Sequence, residues 1–174
     1  MTKDRTVEYA LQYLGTPYVK GEFDCSRFIQ AVFRERCGIL RFPRYLDGQW
    51  LWSHPIDLAQ AKAGDLIFFC AKALWKRDFG YRWYSHAGIA TGQFSNSREL
   101  ENCPNPVIHC SFWEKRVVIW PLEKFYERYF LTGVRRALAA PAEDFEGIET
   151  YGGRELWAEY HRRRDERRNK EESQ

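Results

Sequence analysis

Four short apolar runs follow one another between residues 66 and 120, and they commit this chain to building a sheet. The first is Leu66-Ile67-Phe68-Phe69-Cys70, set off by Ala63-Gly64-Asp65. The others are His86-Ala87-Gly88-Ile89-Ala90-Thr91, Val107-Ile108-His109-Cys110, and Val117 to Trp120, which Pro121 ends. Runs of this length, rich in β-branched and aromatic residues, predict buried strands. A fifth, short strand is predicted at Gly133-Val134-Arg135-Arg136-Ala137. A membrane span needs about 20 apolar residues, and the longest run, Leu66 to Ala71, falls far short of that. Two helices are predicted ahead of the strands. Val7, Ala10, Leu11 and Leu14 share a face over residues 6–14, with Thr6 to cap and Gly15 to stop. Phe28, Ile29, Val32 and Phe33 keep helical spacing from Cys25 to about Arg36, closed by Gly38. Residues 41–63, with Pro43 and Pro55, read as irregular.

The chain has 174 residues, enough for one domain with a tail and too few for two full cores. Its 27 basic and 24 acidic residues leave a net charge of +3, too small to point to a nucleic-acid partner. Met1-Thr2-Lys3-Asp4-Arg5 runs straight into the first helix with no apolar h-region, so the expectation is that a classical secretory signal is absent or was cut away before residue 1. A cytoplasmic chain as synthesised is the expectation, with a phage or a dedicated secretion system as routes out. The domain is expected over residues 1–152. Residues 153–174, with seven Lys/Arg and six Asp/Glu, form a charged helix or tail with Glu159–Arg163 and Glu166–Lys170 at i,i+4 spacing. RNA or membrane binding through His161-Arg162-Arg163-Arg164 is the competing reading of that tail, and the interleaved acids count against it. The segments 71–84 and 93–106 are long for loops between strands, fit either to line a site or to be surface insertions.

Five cysteines cannot all pair, and no CxxC pair occurs, which fits mostly reduced thiols. Cys37, Cys70 and Cys110 sit at helix or strand ends and read as small buried hydrophobes, while Cys103 lies in a loop. Cys25 differs, because it follows Phe23-Asp24 and opens a helix. Unpaired N–H groups and the helix dipole at that point favour a thiolate, so a depressed pKa is expected, together with nucleophilic character and a backbone N–H suited to an oxyanion. A nucleophilic thiol needs a base, and there are four histidines. His161 is in the charged tail and His54 precedes Pro55 in the irregular segment. His86 and His109 lie on successive predicted strands, which can set two imidazoles side by side. One would take the thiol proton and the other would orient it. Two unrelated strand histidines are the competing reading. A zinc site from Cys70, His86, Cys103, His109 and Cys110 is disfavoured, since only His109 and Cys110 are close and adjacent strand residues point opposite ways.

The stretch Leu14-Gly15-Thr16-Pro17-Tyr18-Val19-Lys20-Gly21-Glu22-Phe23-Asp24-Cys25-Ser26-Arg27-Phe28 resembles the signature of the NlpC/P60 cysteine peptidases. Phe42-Pro43-Arg44 with Gln49, Ala63-Gly64-Asp65-Leu66-Ile67-Phe68-Phe69, Ser85-His86-Ala87-Gly88-Ile89-Ala90 and Val107-Ile108-His109 follow in the family's order, so the resemblance spans about residues 6–137. It implies a reduced papain-like α+β fold, with the helix of the nucleophile packed on an antiparallel sheet that bears the histidines. It implies hydrolysis of peptidoglycan stem peptides, typically between D-glutamate and a diamino acid, with no cofactor and no metal. Cys25 would be the nucleophile, His86 the general base and then acid, and His109 the third polar residue. In relatives that need a free N-terminal alanine, residues at the places of Tyr18, Asp24 and Ser26 bind that amine. A carboxylate with two hydroxyls is a compact ammonium site, although Asp24 also suits a helix cap.

Two departures add charge beside the nucleophile. Arg27 stands where the family has Gly after Asp-Cys-Ser, which counts it among the substrate-contacting residues, and Lys20-Gly21-Glu22 replaces an aromatic-Gly-Gly stretch. The expected partner is a peptidoglycan-derived peptide. Protein deamidation or acyl transfer on the same site, and a silent phage-tail or envelope assembly module, are the alternatives.

Overall fold

The apolar run at 66–71 becomes the middle of the sheet. In the computed structural model, which describes residues 5–75, 84–92 and 105–138 together with Arg162 and Asn169, β2 (Leu66–Ala71) pairs with β6 (Tyr129–Ala137) on one side and β3 (His86–Ala90) on the other. β4 (Pro106–Ser111) and β5 (Arg116–Pro121) extend the sheet beyond β3, and β1 (Ser53–Pro55) adds an edge beside β6. The order is β1-β6-β2-β3-β4-β5, with antiparallel neighbours throughout. Cys103, His161, the boundary at 152, most of the two long loops and nearly all of the charged tail lie outside the described residues.

β2 reads as a near-continuous apolar string because both faces of the sheet are covered there. Alternate side chains of a strand point to opposite faces. Leu66 and Phe68 join Phe28, Ile29, Val32, Ala87, Ile89 and Ile108 under the helices. Ile67 and Phe69 join Ala90, Val107, Trp120, Leu122 and Phe125 on the other face.

The first helix, α1 (Thr6–Leu11), is shorter than its periodicity predicts. Residues 12–15 turn instead, and Gly15 takes φ +80°, a conformation that costs glycine little. Thr6 is not the cap; it is the first helical residue, buried near the Cys37 sulfur at 3.6 Å. The second helix, α2 (Cys25–Gln30), starts where predicted and continues in wider π geometry over Ala31–Arg36. Residues 41–63, read as irregular, contain α3 (Leu46–Leu51), β1 and a 3₁₀ turn at Leu58–Gln60. The short helices α4 (Lys72–Trp75) and α5 (Leu122–Phe125) follow β2 and β5. Among the described residues no helix is long and apolar enough to cross a membrane.

Gly88 on β3 is a contact glycine. A Cβ there would lie 2.6 Å from Val107 Cγ1, 2.9 Å from the Ile108 carbonyl oxygen and 3.1 Å from His109 Cβ. One of those atoms is backbone and cannot swing aside, so β3 and β4 would have to part. Gly88→Ala is expected to destabilise by about 1–3 kcal/mol, the range for overpacking, as read by urea unfolding. A variant as stable as the parent would show that the two strands yield freely at this point.

Candidate active site

α2 and its π continuation lie across β3 and β4 through Phe28, Ile29 and Val32, which brings the first residue of α2 to the sheet. That residue is Cys25. Asp24 caps the helix, its side chain accepting from the Arg27 N–H at 3.0 Å, as a capping acid does. β3 and β4 keep their register at Ile89↔Ile108 and Ala90↔Val107. Toward the other end of β3, the N–H of Ala87 lies near the Cys25 sulfur, as does the N–H of Ser26, and both favour its thiolate.

His86, next to Ala87, turns to the opposite face of the sheet from Ala87 and meets His109. Its Nε2 lies 2.8 Å from His109 Nδ1, with the rings edge-on at 83°. Aromatic rings box the pair. Tyr129 stacks on His86 at 5.2 Å between centroids, while Phe125 and Trp120 press on His109 at 4.6 and 4.7 Å. Both histidines are buried, and His109 Nε2 has no hydrogen-bond partner among the described residues.

Burial in this apolar box disfavours the imidazolium, so His86 is pushed down to about 4 and His109 well below the usual histidine value. The thiol of Cys25 moves the other way from the sequence expectation. Burial first, and then the neighbouring Asp24 carboxylate, push it up to about 12. The N–H donors of Ala87 and Ser26 and the charge of Arg44 act in the expected direction but are outweighed. The Cys25 thiol and both imidazoles are therefore neutral at rest.

Asp24 and Ser26 stand together, as the ammonium reading requires, and a cation already lies on them. Arg44 reaches both Asp24 oxygens at 3.1 Å, one from Nη1 and one from Nη2, and also donates to Ser26 Oγ at 2.5 Å. Ser26 in turn donates to Asp24 at 2.9 Å. These contacts hold the Asp24 carboxyl below the usual range against the opposing effect of burial. The segment that carries Arg44 is fastened by two buried amides. Gln30 donates to the Phe42 carbonyl at 3.1 Å, and Gln49 donates to those of Ser26 and Pro43 at 2.8 and 3.0 Å. Phe42-Pro43-Arg44 with Gln49 is thus a brace for the loop before the nucleophile.

Arg27 turns along its helix, where its guanidinium binds Gln30 at 2.8 Å and Glu35 at 2.7 Å. Tyr18 is half-buried with its hydroxyl in electrostatic reach of Cys25, and burial pushes its pKa up. His54 is exposed on β1. Cys70 is buried, and the buried Cys110 donates to the Phe23 carbonyl at 3.5 Å. Among the described residues no cluster of three or more His, Cys, Asp or Glu could hold a metal ion. Sequence reasoning missed Tyr129, Phe125 and Arg44 as neighbours of the site. Only for Arg44 was there a signal, its place in the Phe-Pro-Arg motif.

The profile of the NlpC/P60 family matches residues 15–120, more than half of the chain. The gamma-DL-glutamyl hydrolase of Bacillus subtilis is 29% identical over 119 residues, which are 64% of this chain and 27% of that protein. This chain therefore spans about a quarter of the length of that curated relative. Among solved structures, a lipoprotein-like NLP/P60-family protein of Staphylococcus aureus is 28% identical with a TM-score of 0.57, over 78% of this chain and 42% of the other. The NlpC/p60 domain of the peptidoglycan hydrolase SagA is 26% identical with a TM-score of 0.54, over 76% of this chain and 96% of that one. The antiparallel sheet, the helix that opens on Cys25 and the profile match agree: this chain belongs to the NlpC/P60 family of cysteine peptidases and has its papain-like fold.

Proposed function

We propose that this domain hydrolyses an amide in short peptidoglycan stem peptides, the bond from D-glutamate to a diamino acid, through an acyl-enzyme on Cys25. The observation that carries this reading is the 2.8 Å contact between His86 Nε2 and His109 Nδ1, next to a strand whose Ala87 N–H meets the Cys25 sulfur. With Nε2 engaged, Nδ1 is the nitrogen of His86 left to take the thiol proton. His109 then accepts from His86 Nε2–H and steadies the imidazolium that forms. The thiolate attacks the carbonyl carbon, and His86 passes its proton to the leaving amine. A water molecule, deprotonated by the same nitrogen, releases the acyl group. Asp24, Ser26, Tyr18 and Arg44 flank the nucleophile as substrate-contacting or bracing groups. Arg27 borders the site with its charge directed to Gln30 and Glu35. The name of the Bacillus subtilis relative supports a γ-glutamyl bond.

Digestion of purified muropeptides and of whole sacculi, with product masses read afterwards, tests this. Two peptide fragments separated at the D-glutamyl bond are expected, with water added. A gain of one dalton on a protein side chain, or a conjugate of the acyl fragment with an acceptor amine, would transfer the site to deamidation or acyl transfer instead.

A further inference from the structure

The turn that joins β4 to β5 carries side chains that the reaction above leaves unused. Phe112 and Trp113 are 45% and 50% exposed there, two large aromatic residues in succession on a surface. The turn that presents them is fixed. Ser111 Oγ accepts from the N–H groups of Trp113 at 3.2 Å and Glu114 at 3.1 Å, and Lys115 takes the left-handed conformation at φ 58°. Both rings connect to the candidate site. Tyr18 meets Phe112 edge-on at 5.7 Å and lies within electrostatic reach of Cys25. Trp113 packs on Phe112 at 5.3 Å, and its indole lies near the hydroxyl of Tyr129, the ring stacked on His86. An aromatic wall thus runs from the side of the nucleophile to the side of the histidines.

Two cations sit on this wall. Lys115 Nζ lies 3.6 Å from the centre of the Phe112 ring, and the Arg128 guanidinium lies 4.1 Å from that of Trp113. A ring face holds a cation in place through its quadrupole without neutralising it. Among the described residues neither cation is paired with a carboxylate, and Glu114 between them is taken by Lys124 at 3.2 Å. Placed and unneutralised positive charge at the mouth of a site recognises an anion.

We propose that Lys115 and Arg128, held over Phe112 and Trp113, receive a free carboxylate that the substrate carries beside its scissile amide. The inference rests on the peptide-hydrolase reading above and names the specificity of that same site. A γ-linked glutamyl residue keeps its α-carboxylate free on the acyl side of the bond, so it offers such a group by construction. A charge-assisted hydrogen bond rewards that acid, whereas the uncharged α-carboxamide in the same place gains less.

Calorimetric binding to the Cys25→Ala protein tests this without turnover, using L-alanyl-γ-D-glutamyl-L-lysine and its α-carboxamide counterpart as the two probes. The acid is expected to bind about 10-fold more tightly than the amide, the order of one charged hydrogen bond. Adding Lys115→Gln and Arg128→Gln should bring that ratio close to 1, while the charge-keeping pair Lys115→Arg with Arg128→Lys should retain it. Equal binding of acid and amide, no binding of either, or a preference that survives the glutamine pair would each overturn the proposal. Binding with the expected preference, but no cleavage by the Cys25 protein, would sink the hydrolase reading and leave this one standing.

Discussion

Cys25→Ala is expected to abolish turnover and leave the fold in place. The sulfur lies at the first turn of α2, near the N–H groups of Ala87 and Ser26, and fills no part of the main core. Alanine is a good helix former, so the structural cost should stay near 1 kcal/mol. The chemical cost is of another order, because Cys110, another thiol within electrostatic reach of Cys25, is buried and donates to the Phe23 carbonyl. Loss of at least about 10⁴ in kcat is expected, the scale seen when a covalent nucleophile is removed. Muropeptide cleavage and the melting temperature, followed in parallel, check both halves of this statement. Residual cleavage within about tenfold of the parent would remove Cys25 from the mechanism.

The second large effect concerns the two histidines and carries its own pH signature. His86→Ala removes the proposed proton carrier and should cost about 10³-fold or more, whereas His109→Ala removes the residue proposed to position it and should cost less. The two differ in kind as well. His86 is held near 4 by the apolar box, so kcat/KM of the parent should stay level below pH 6 and fall only as pH drops through about 4. His109→Ala opens space for water beside His86, which eases the desolvation and moves the acid limb upward toward 6.5. A merely structural role for His109 would lower the rate without moving that limb. Stability follows the same protons. The unfolded chain protonates His86 near 6.5 and the folded one only near 4, so the unfolded state binds more protons between those values. Stability therefore falls as pH drops through that window, by roughly 3 kcal/mol from His86 at 1.36 kcal/mol per unit. Urea unfolding at pH 7 and pH 4 reads it directly.

The elements that were legible are those whose pattern survives without knowledge of their neighbours. Leu66 to Ala71 is apolar because both sheet faces are covered, and its sequence says so. Cys25 to Arg36 keeps its apolar stripe even where the backbone widens into π geometry. β1 has three residues and ends in Pro55, so it has no pattern to read; its pairing with β6 is a tertiary fact. β6 is longer than predicted because a register shift opposite Phe68 and Phe69 breaks its alternation near Thr132. At the site, Cys25, His86 and His109 could be singled out by residue type and placement, and the structure brings the two imidazoles into contact. The sign of the Cys25 shift could not be read, because it turns on how deeply the sulfur is buried and on how near Asp24 lies. The aromatic box leaves no local trace, since Phe69, Trp120, Phe125 and Tyr129 come from four separate elements, and the guanidinium on Asp24 shows only as the Arg of the Phe-Pro-Arg motif.

The amide of Ala87 lies near the Cys25 sulfur where β3 and β4 cease to hold register. One backbone group of the scaffold therefore sits beside that sulfur. Whatever happens to that sulfur, whether it loses its proton, gains an acyl group or is capped by an alkylating agent, changes the neighbour that this amide sees. The strand that carries His86 is in this way a built-in reporter, and the backbone resonance of one alanine would follow the enzyme through each stage of its cycle.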